Sequence, residues 1–162
     1  MTTPMNPTIE IKILDDRLRQ WGLPQYQTPQ AAAIDLVACL DAPLVLKPQQ
    51  AAVLIPTGIA LHMNSDHLCA VILPRSGLGH KKGLVLGNSM GLIDADYMAQ
   101  CLISAWNRNP AESGLDITVQ PGDRIAQMLF LPIVRPAFVV VDEFSAPSER
   151  GEGGFGSTGV GR

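Results

Sequence analysis

Short runs of apolar residues, separated by turns that contain Gly or Pro, make up most of this chain. Several runs alternate apolar and polar residues, a pattern typical of half-buried strands, and no segment shows a long helical period with caps. Roughly ten short strands at this spacing predict an all-β sandwich or barrel. One short helix is expected after Ser76, and residues 15–32 are expected to form a loop. The predicted strands cover residues 9–14, 33–40, 44–46, 51–55, 59–62, 68–73, 84–86, 92–97, 101–106, 115–119, 125–131 and 138–141.

Length, charge and cysteine content exclude several classes of protein. A chain of 162 residues fits one domain, and its net charge of −3 argues against a nucleic-acid-binding surface. No apolar run approaches the length of a transmembrane span, and we expect neither a membrane span nor a secretory signal. Its three cysteines are far apart, which argues against a disulfide framework or a zinc site and indicates a reducing compartment, with each thiol in the core.

The last thirteen residues differ from the rest, because six of them are Gly. Fixing a backbone residue costs about 1–2 kcal/mol, and Gly costs most, so this segment cannot fold on its own contacts. We therefore divide the chain into a β domain, residues 1–149, and a mobile tail, residues 150–162. The tail combines Arg150, Phe155 and adjacent hydroxyls on a Gly-rich backbone. A flexible terminus explains that composition, and phosphate binding with stacking on a base is the alternative.

Two acids lie close together in residues 87–97. In a strand, Asp94 and Asp96 share one face, opposite Ile93, Ala95 and Tyr97. A solvated strand edge explains this pattern, and an acid–base site is the sharper alternative. The spacing alone favours the edge.

Two further segments carry polar groups suited to an anion. In residues 74–83, Arg75 offers a forked donor and Ser76 a hydroxyl and an N-cap at a helix start, which suits a phosphate as well as an ordinary cap. In residues 121–127, one interpretation of Asp123 and Arg124 is an ion pair between them on the surface. Gln127 lies within an apolar run, so its amide is either bonded to backbone or directed at a ligand.

Five blocks of the chain together resemble the homotrimeric dUTPases of bacterial type. They are residues 32–38, 74–83, 87–97, 122–127 and 150–159, and they span nearly the whole chain. The resemblance implies a jelly-roll-like β-barrel or sandwich with one short helix. It also implies hydrolysis of dUTP to dUMP and pyrophosphate, which limits uracil in DNA and supplies dUMP for dTMP synthesis.

The resemblance also implies a role for each matching residue. Asp94 is the base that activates water for attack on the α-phosphorus, and Arg150 is its catalytic partner in the tail. The uracil is read by Asn88 and the backbone around Gly91, Leu92 and Ile93, while Tyr97 excludes a 2′-hydroxyl. Phosphates contact Arg75, Ser76, Gly77 and Gln127. The tail closes with Phe155 over the uracil and with Arg150, Gly156, Ser157 and Thr158 at the phosphate end.

A magnesium cofactor and shared sites follow from the same resemblance. Asp35 orients the water shell of Mg²⁺, which the triphosphate chelates, as suits an ion that prefers oxygen ligands and retains waters. Each site of a cytoplasmic homotrimer combines the residue 87–97 hairpin, the phosphate motifs and the tail from three different subunits. No nucleic acid or membrane partner is implied.

Two positions depart from the family pattern, and two other functions compete. Ala33 and Ala99 stand where Gly is usual, and we expect a shifted backbone there without loss of chemistry. A dCTP deaminase of the same fold needs a glutamate base, and residues 87–97 contain none. A nucleotide-sensing binding protein is the remaining alternative, although all five blocks retain their reactive side chains.

Overall fold

The computed structural model describes residues 7–148 and 151, and these residues form an antiparallel β-sandwich of jelly-roll-like fold. One sheet has the strand order β1-β4-β8-β6. Its strands are β1 (Glu10–Ile13), β4 (Val53–His62), β6 (Leu84–Leu86) and β8 (Gln100–Asn107). The predicted all-β class is therefore confirmed.

The second sheet contains several of the predicted site residues. Its order is β2-β10-β5-β7, with β2 (Ile34–Val37), β5 (Leu68–Pro74), β7 (Gly91–Ile93) and β10 (Arg124–Pro132). A separate pair is formed by β3 (Leu44–Leu46) and β9 (Ile117–Val119). All of these strand pairs are antiparallel, as expected when successive strands follow short turns.

The core lies between the two sheets and is filled by aliphatic side chains. Leu36 and Met128 from one sheet and Ile55 and Ile103 from the other are at most 1% exposed. Asn107 is fully buried in this apolar layer, and its amide donates 2.8 Å bonds to the carbonyls of Leu46 and Leu115. A buried amide costs little when it is bonded in this way. The apolar alternation seen in the sequence thus becomes one continuous core.

Two local predictions were wrong. Residues 15–32 contain a short helix, α1 (Leu18–Trp21), because Leu18 packs into the core and is 1% exposed. The two strands predicted at residues 51–55 and 59–62 are one strand, β4 (Val53–His62), with an irregular register between Pro56 and Ala60. Gly58 bends this strand at φ +71°, where an added Cβ would lie 2.7 Å from Cys39 Sγ. The turn residues therefore bend a strand without ending it.

The short helix predicted after Ser76 is confirmed as α2 (Ser76–Lys81), and a 3₁₀ turn (Ala111–Ser113) lies in the polar loop before β9. No helix in the described part of the chain is long and apolar enough to cross a membrane.

The strand predicted at residues 138–141 is absent. Phe138, Val139 and Val140 are 81–98% exposed, and Phe144 is 91% exposed. Apolar alternation predicts a strand only where a partner strand is within reach, and no strand of the described chain pairs with this segment. We call residues 133–144 the apolar arm.

Candidate functional site

Asp35 and Gln127 lie opposite each other on the adjacent strands β2 and β10. Gln127 also pairs with Leu73 of β5, which leads directly to Pro74 and Arg75. Residues directly opposite in an antiparallel pair share a face of the sheet. The topology therefore gathers three of the predicted binding residues, Asp35, Arg75 and Gln127, from three distant parts of the sequence.

The Asp35 carboxylate binds two arginines. Its Oδ1 accepts from Arg75 Nε at 2.9 Å, and its Oδ2 accepts from Arg124 Nη1 at 3.1 Å. The Asp35 side chain is only 15% exposed, whereas Arg75 is 31% and Arg124 50% exposed. The partly exposed guanidinium groups thus present positive charge around a nearly buried acid.

Two sequence predictions about this cluster were wrong. Arg124 does not pair with Asp123, whose carboxylate accepts from the Gln120 backbone N–H at 2.8 Å. Ser76 is the first residue of α2 rather than its N-cap, which is Arg75, and the Arg75 side chain makes no capping hydrogen bond. The amide of Gln127 donates to the Pro74 carbonyl at 3.0 Å. Of the two alternatives for Gln127, backbone bonding is therefore present, and its amide oxygen remains an additional acceptor.

Asp94 lies in a second place, immediately after β7 ends at Ile93. The predicted strand over residues 92–97 stops there, so Asp94 and Asp96 do not alternate along a strand face. They still line one cavity of about 520 Å³, together with Ala95, His62 and Arg135. The two acids therefore share a pocket because both lie in the segment after β7, not because they lie on one face of a strand.

The segment between β6 and β7 differs from an ordinary hairpin. Its two arms belong to different sheets, since β6 pairs with β8 and β7 with β5. Asn88 is exposed in the connecting turn, and Ser89 adopts a positive φ of 63°. Gly91 packs against β5, where an added Cβ would lie 3.2 Å from Ile72 Cβ. This turn is a short crossing between sheets that exposes backbone polar groups.

Tyr97 follows the Asp94 turn and is 40% exposed. Its hydroxyl donates to the Gln100 carbonyl at 3.1 Å, so the phenol ring is held at a fixed angle beside the turn. Leu92, at 61% exposure, extends outward from β7. The turn and the ring together form an accessible surface next to the acidic cavity.

The arginine cluster, formed by Asp35, Arg75 and Arg124, and the acidic cavity, lined by Asp94 and Asp96, lie toward opposite ends of β5. Ile93 pairs with Ala70, whereas Arg75 follows the other end of the strand at Pro74. Five residues at about 3.3 Å each separate these positions by about 16 Å. Arg75 is also turned toward β2, and β7 lies on the other side of β5. One chain therefore does not bring Asp94 and Arg75 together.

The remaining predicted binding residues lie in the tail or in α2. Arg150, Phe155, Gly156, Ser157 and Thr158 lie outside the described residues. Gly77 is exposed in the first turn of α2.

Ala33 and Ala99 are absent from the positive-φ residues of the described chain, so neither position requires Gly there. All three cysteines are free and buried, as predicted, and burial raises the pKa of Cys39 and of Cys101 to about 11.

Arg124 is the residue of the cluster that sequence reasoning missed. In a regular strand, residues three apart face opposite sides, so Arg124 and Gln127 would be separated. A register shift between Arg124 and Ala126 places Arg124 opposite Val37 and Gln127 opposite Asp35, which brings both onto one face. A β-bulge has this effect, and the sequence carried no signal for it.

Comparisons with known proteins agree on one family. The dUTPase family model matches residues 19–159. The deoxyuridine 5′-triphosphate nucleotidohydrolase of Methylibium petroleiphilum is 57% identical over 152 residues, covering 94% of this chain and 97% of that protein. The enzyme of the same description from Tolumonas auensis is 56% identical over 152 residues, covering 93% of this chain and 97% of that protein.

A solved structure supports the same relationship. The dUTPase of Staphylococcus bacteriophage 80alpha, determined with dUpNHpp, superposes with a TM-score of 0.83 at 28% identity. The match covers 96% of this chain and all of that one.

Proposed function

The chain belongs to the dUTPase family and hydrolyses dUTP, and from that premise we propose that Asp94 is the general base. Asp94 takes a proton from water, whose oxygen attacks the α-phosphorus while the bond to the bridging oxygen breaks and pyrophosphate leaves. The position of Asp94 in an open cavity of about 520 Å³ at the end of β7 is the observation that carries this proposal. A positioned base of this kind contributes about 10²–10⁴-fold to a rate.

We propose that the crossing between β6 and β7 recognises the nucleoside. Asn88 and the backbone of Gly91, Leu92 and Ile93 are exposed or half-buried beside the acidic cavity and offer amide and carbonyl groups to the uracil edge. The ring of Tyr97, held through its hydroxyl to Gln100, supports the deoxyribose and leaves no room for a 2′-hydroxyl. A rigid turn is selective because a wrong base leaves the polar groups of the turn unpaired.

We propose that the triphosphate lies over the arginine cluster of another subunit. Arg75 is partly exposed at the start of α2, where Ser76 and Gly77 are also accessible, and Gln127 is adjacent through its bond to Pro74. Arginine suits this role because its fork matches phosphate oxygens. The tail then closes over the substrate, with Phe155 on the uracil and with Arg150, Gly156, Ser157 and Thr158 at the phosphates, which excludes water.

Asp35 fits a supporting role toward a magnesium ion. Mg²⁺ binds oxygen ligands, retains waters and often bridges substrate phosphates. Each Asp35 oxygen accepts one arginine bond, and a carboxylate oxygen has room for a second. Asp35 would therefore accept a bond from a water of the ion's shell. The ion, held by the triphosphate, would offset its negative charge.

We propose that three copies assemble and share their sites. The separation of about 16 Å along β5 supports this, because the base and the phosphate-binding arginine must act on one substrate and one chain holds them apart. The apolar arm supports it further. Phe138, Val140 and Phe144 are more than 90% exposed, and burying them against other copies would be favourable by about 25 cal/mol per Å².

We propose a cytoplasmic location and a role in nucleotide metabolism. Three free, buried cysteines suit a reducing compartment. In that setting the reaction removes dUTP before it enters DNA and supplies dUMP for dTMP synthesis.

A four-substrate assay tests the functional proposal. Pyrophosphate release is measured with dUTP, dTTP, dCTP and UTP, and ammonia release is followed with dCTP. Hydrolysis confined to dUTP is expected. Ammonia from dCTP would indicate a deaminase, and binding without turnover would indicate a sensor. Sedimentation velocity of the same sample reports the assembly, for which a trimer mass is expected.

A further inference from the structure

We propose that Arg124 is a positioning residue of the phosphate site, which acts through Asp35 to hold Arg75 in place for the triphosphate. The inference rests on the proposed role of Arg75 in phosphate binding. It adds Arg124, which has no part in that proposed role.

The contacts form a closed triangle. Arg75 Nε and Arg124 Nη1 each donate to one oxygen of Asp35, at 2.9 and 3.1 Å. Arg75 Nη1 also donates to the backbone carbonyl of Arg124 at 2.9 Å. Arg75 is thus fixed at two of its nitrogens, once by the Asp35 carboxylate and once by the backbone carbonyl of Arg124, which every Arg124 variant retains. Its remaining nitrogen, Nη2, has no hydrogen bond within residues 7–148 and is the one that would meet a ligand.

The bulge in β10 is what places the second arginine. It sets Arg124 opposite Val37, two residues from Asp35 on the same face of β2. In the described part of the chain, Asp35 is the only side chain to which Arg124 is bonded. Arg124 also lines one cavity of about 240 Å³ with Arg75 and Lys82. The side chain therefore lies beside the proposed phosphate site while its own hydrogen bond is directed at Asp35.

Charge gives the direction of the effect. Two arginines and one aspartate have a net charge of +1, and removing the Arg124 cation brings the cluster to zero. Asp35 would then interact with Arg75 alone and would compete more strongly with phosphate for that guanidinium. Triphosphate binding should weaken, whereas the step at Asp94 should change little, because the Arg124 side chain is bonded to Asp35 and is proposed to act on Arg75, not on the base.

The test compares Arg124→Gln and Arg124→Lys with the wild-type chain. For Arg124→Gln we expect the KM for dUTP and the Kd for dUpNHpp to rise about tenfold, the size typical of one hydrogen bond to a charged group. The kcat should stay within about twofold of wild type, and so should the Kd for dUMP, which lacks the β- and γ-phosphates. Arg124→Lys keeps a cation beside Asp35 and should recover part of the loss.

A matched control is Arg19→Gln. Arg19 also pairs with an aspartate, Asp16, at 3.2 Å, but on the surface and away from the cluster. Its KM and dUpNHpp affinity should equal those of wild type. The thermal midpoint of each variant shows whether folding has changed.

The double variant Asp35→Asn/Arg124→Gln tests whether Arg124 acts through Asp35. If Arg124 acts through Asp35, the double variant should bind dUpNHpp no more weakly than Asp35→Asn alone. Fully additive losses would overturn the proposal, as would a wild-type KM in Arg124→Gln. A lowered thermal midpoint with equal losses for dUMP and dUpNHpp would show a purely structural role and also overturn it. A failure of dUTP hydrolysis in the wild-type chain would instead refute the proposed function.

Discussion

The backbone N–H of Tyr97 donates to the carbonyl oxygen of Asp94 at 3.1 Å. A bond between residues three apart closes a β-turn, so Asp94 occupies the first position of a tight turn and Tyr97 the last. This turn, rather than a strand, fixes the proposed base relative to the aromatic ring that would support the sugar. The turn thus holds Tyr97 close to Asp94, which lines the acidic cavity.

Asp94→Asn should abolish turnover and preserve binding. The substitution removes the basic oxygen charge and leaves the side-chain size and the backbone turn unchanged. We expect kcat for dUTP to fall by about 10²–10⁴-fold, with the Kd for dUpNHpp close to that of wild type. Pyrophosphate release and calorimetric titration measure the two quantities.

Asp96→Asn is the matched control for that variant. Asp96 lies two residues away in the same turn and lines the same cavity, so a nonspecific loss of negative charge would affect both variants alike. We expect Asp96→Asn to retain far more activity. Equal losses in the two variants, or near-normal turnover in Asp94→Asn, would contradict the assignment of the base.

The fold class was predictable from the sequence, while the arrangement of the candidate site residues was not. The pattern of apolar and polar residues predicted the positions of β2, β5 and β10, because each of these strands buries one or both faces in a single core. It failed for residues 138–141, where apolar side chains have no partner strand. The pairing of Asp35 with Arg124 depends on a bulge that no residue pattern marks. Long-range register, not composition, decides which polar groups meet.

Deleting residues 150–162 should remove activity without unfolding the β domain. The core and both four-stranded sheets lie within residues 7–148, so the deletion removes none of the strands that the structure describes. The deletion removes Arg150, and an arginine that meets transition-state charge is worth about 10³–10⁵-fold in other phosphoryl-transfer enzymes. We expect at least about a 10³-fold loss of dUTP turnover.

Thermal unfolding and sedimentation velocity provide the controls for the deletion. An unchanged midpoint and an unchanged mass are expected. Loss of the assembled form would show that the tail has a structural role, and full activity would contradict its closing over the substrate. Arg150→Ala in the full-length chain should reproduce most of the kinetic effect.

The three cysteines should not react with thiol reagents in the folded protein. Burial raises the pKa of Cys39 and of Cys101 to about 11, and the nearby Asp15 charge adds to the effect on Cys39. Cys69 is 6% exposed. Because the thiolate is the reactive form, the native protein at about pH 8 should show almost no reaction with Ellman's reagent. All three thiols should react in concentrated guanidinium chloride. Fast labelling of the native protein would contradict the buried placement.

Asp15 should make the stability of the fold sensitive to acid. Arg17 donates from Nε and Nη2 to its carboxylate, at 2.9 and 2.6 Å, and the Arg17 backbone N–H donates at 3.0 Å. Hydrogen bonding to Arg17 is the main reason that the pKa of Asp15 lies below its ordinary value of 3.8. The unfolded chain therefore binds more protons than the folded one in acid.

The sign of the pH dependence follows from that lowered pKa. The stabilisation by Asp15 is complete above the unfolded pKa of 3.8 and is lost as the pH falls through the lower, folded pKa. Asp15→Asn should thus cost about 1 kcal/mol of unfolding free energy near neutral pH. The difference from wild type should shrink below about pH 4. Asp16→Asn is the control, since Asp16 is 93% exposed in its pair with Arg19 and should have a much smaller effect. Urea unfolding of the three proteins across this range measures the difference, and a gap that stays constant or widens in acid would contradict the proposed linkage.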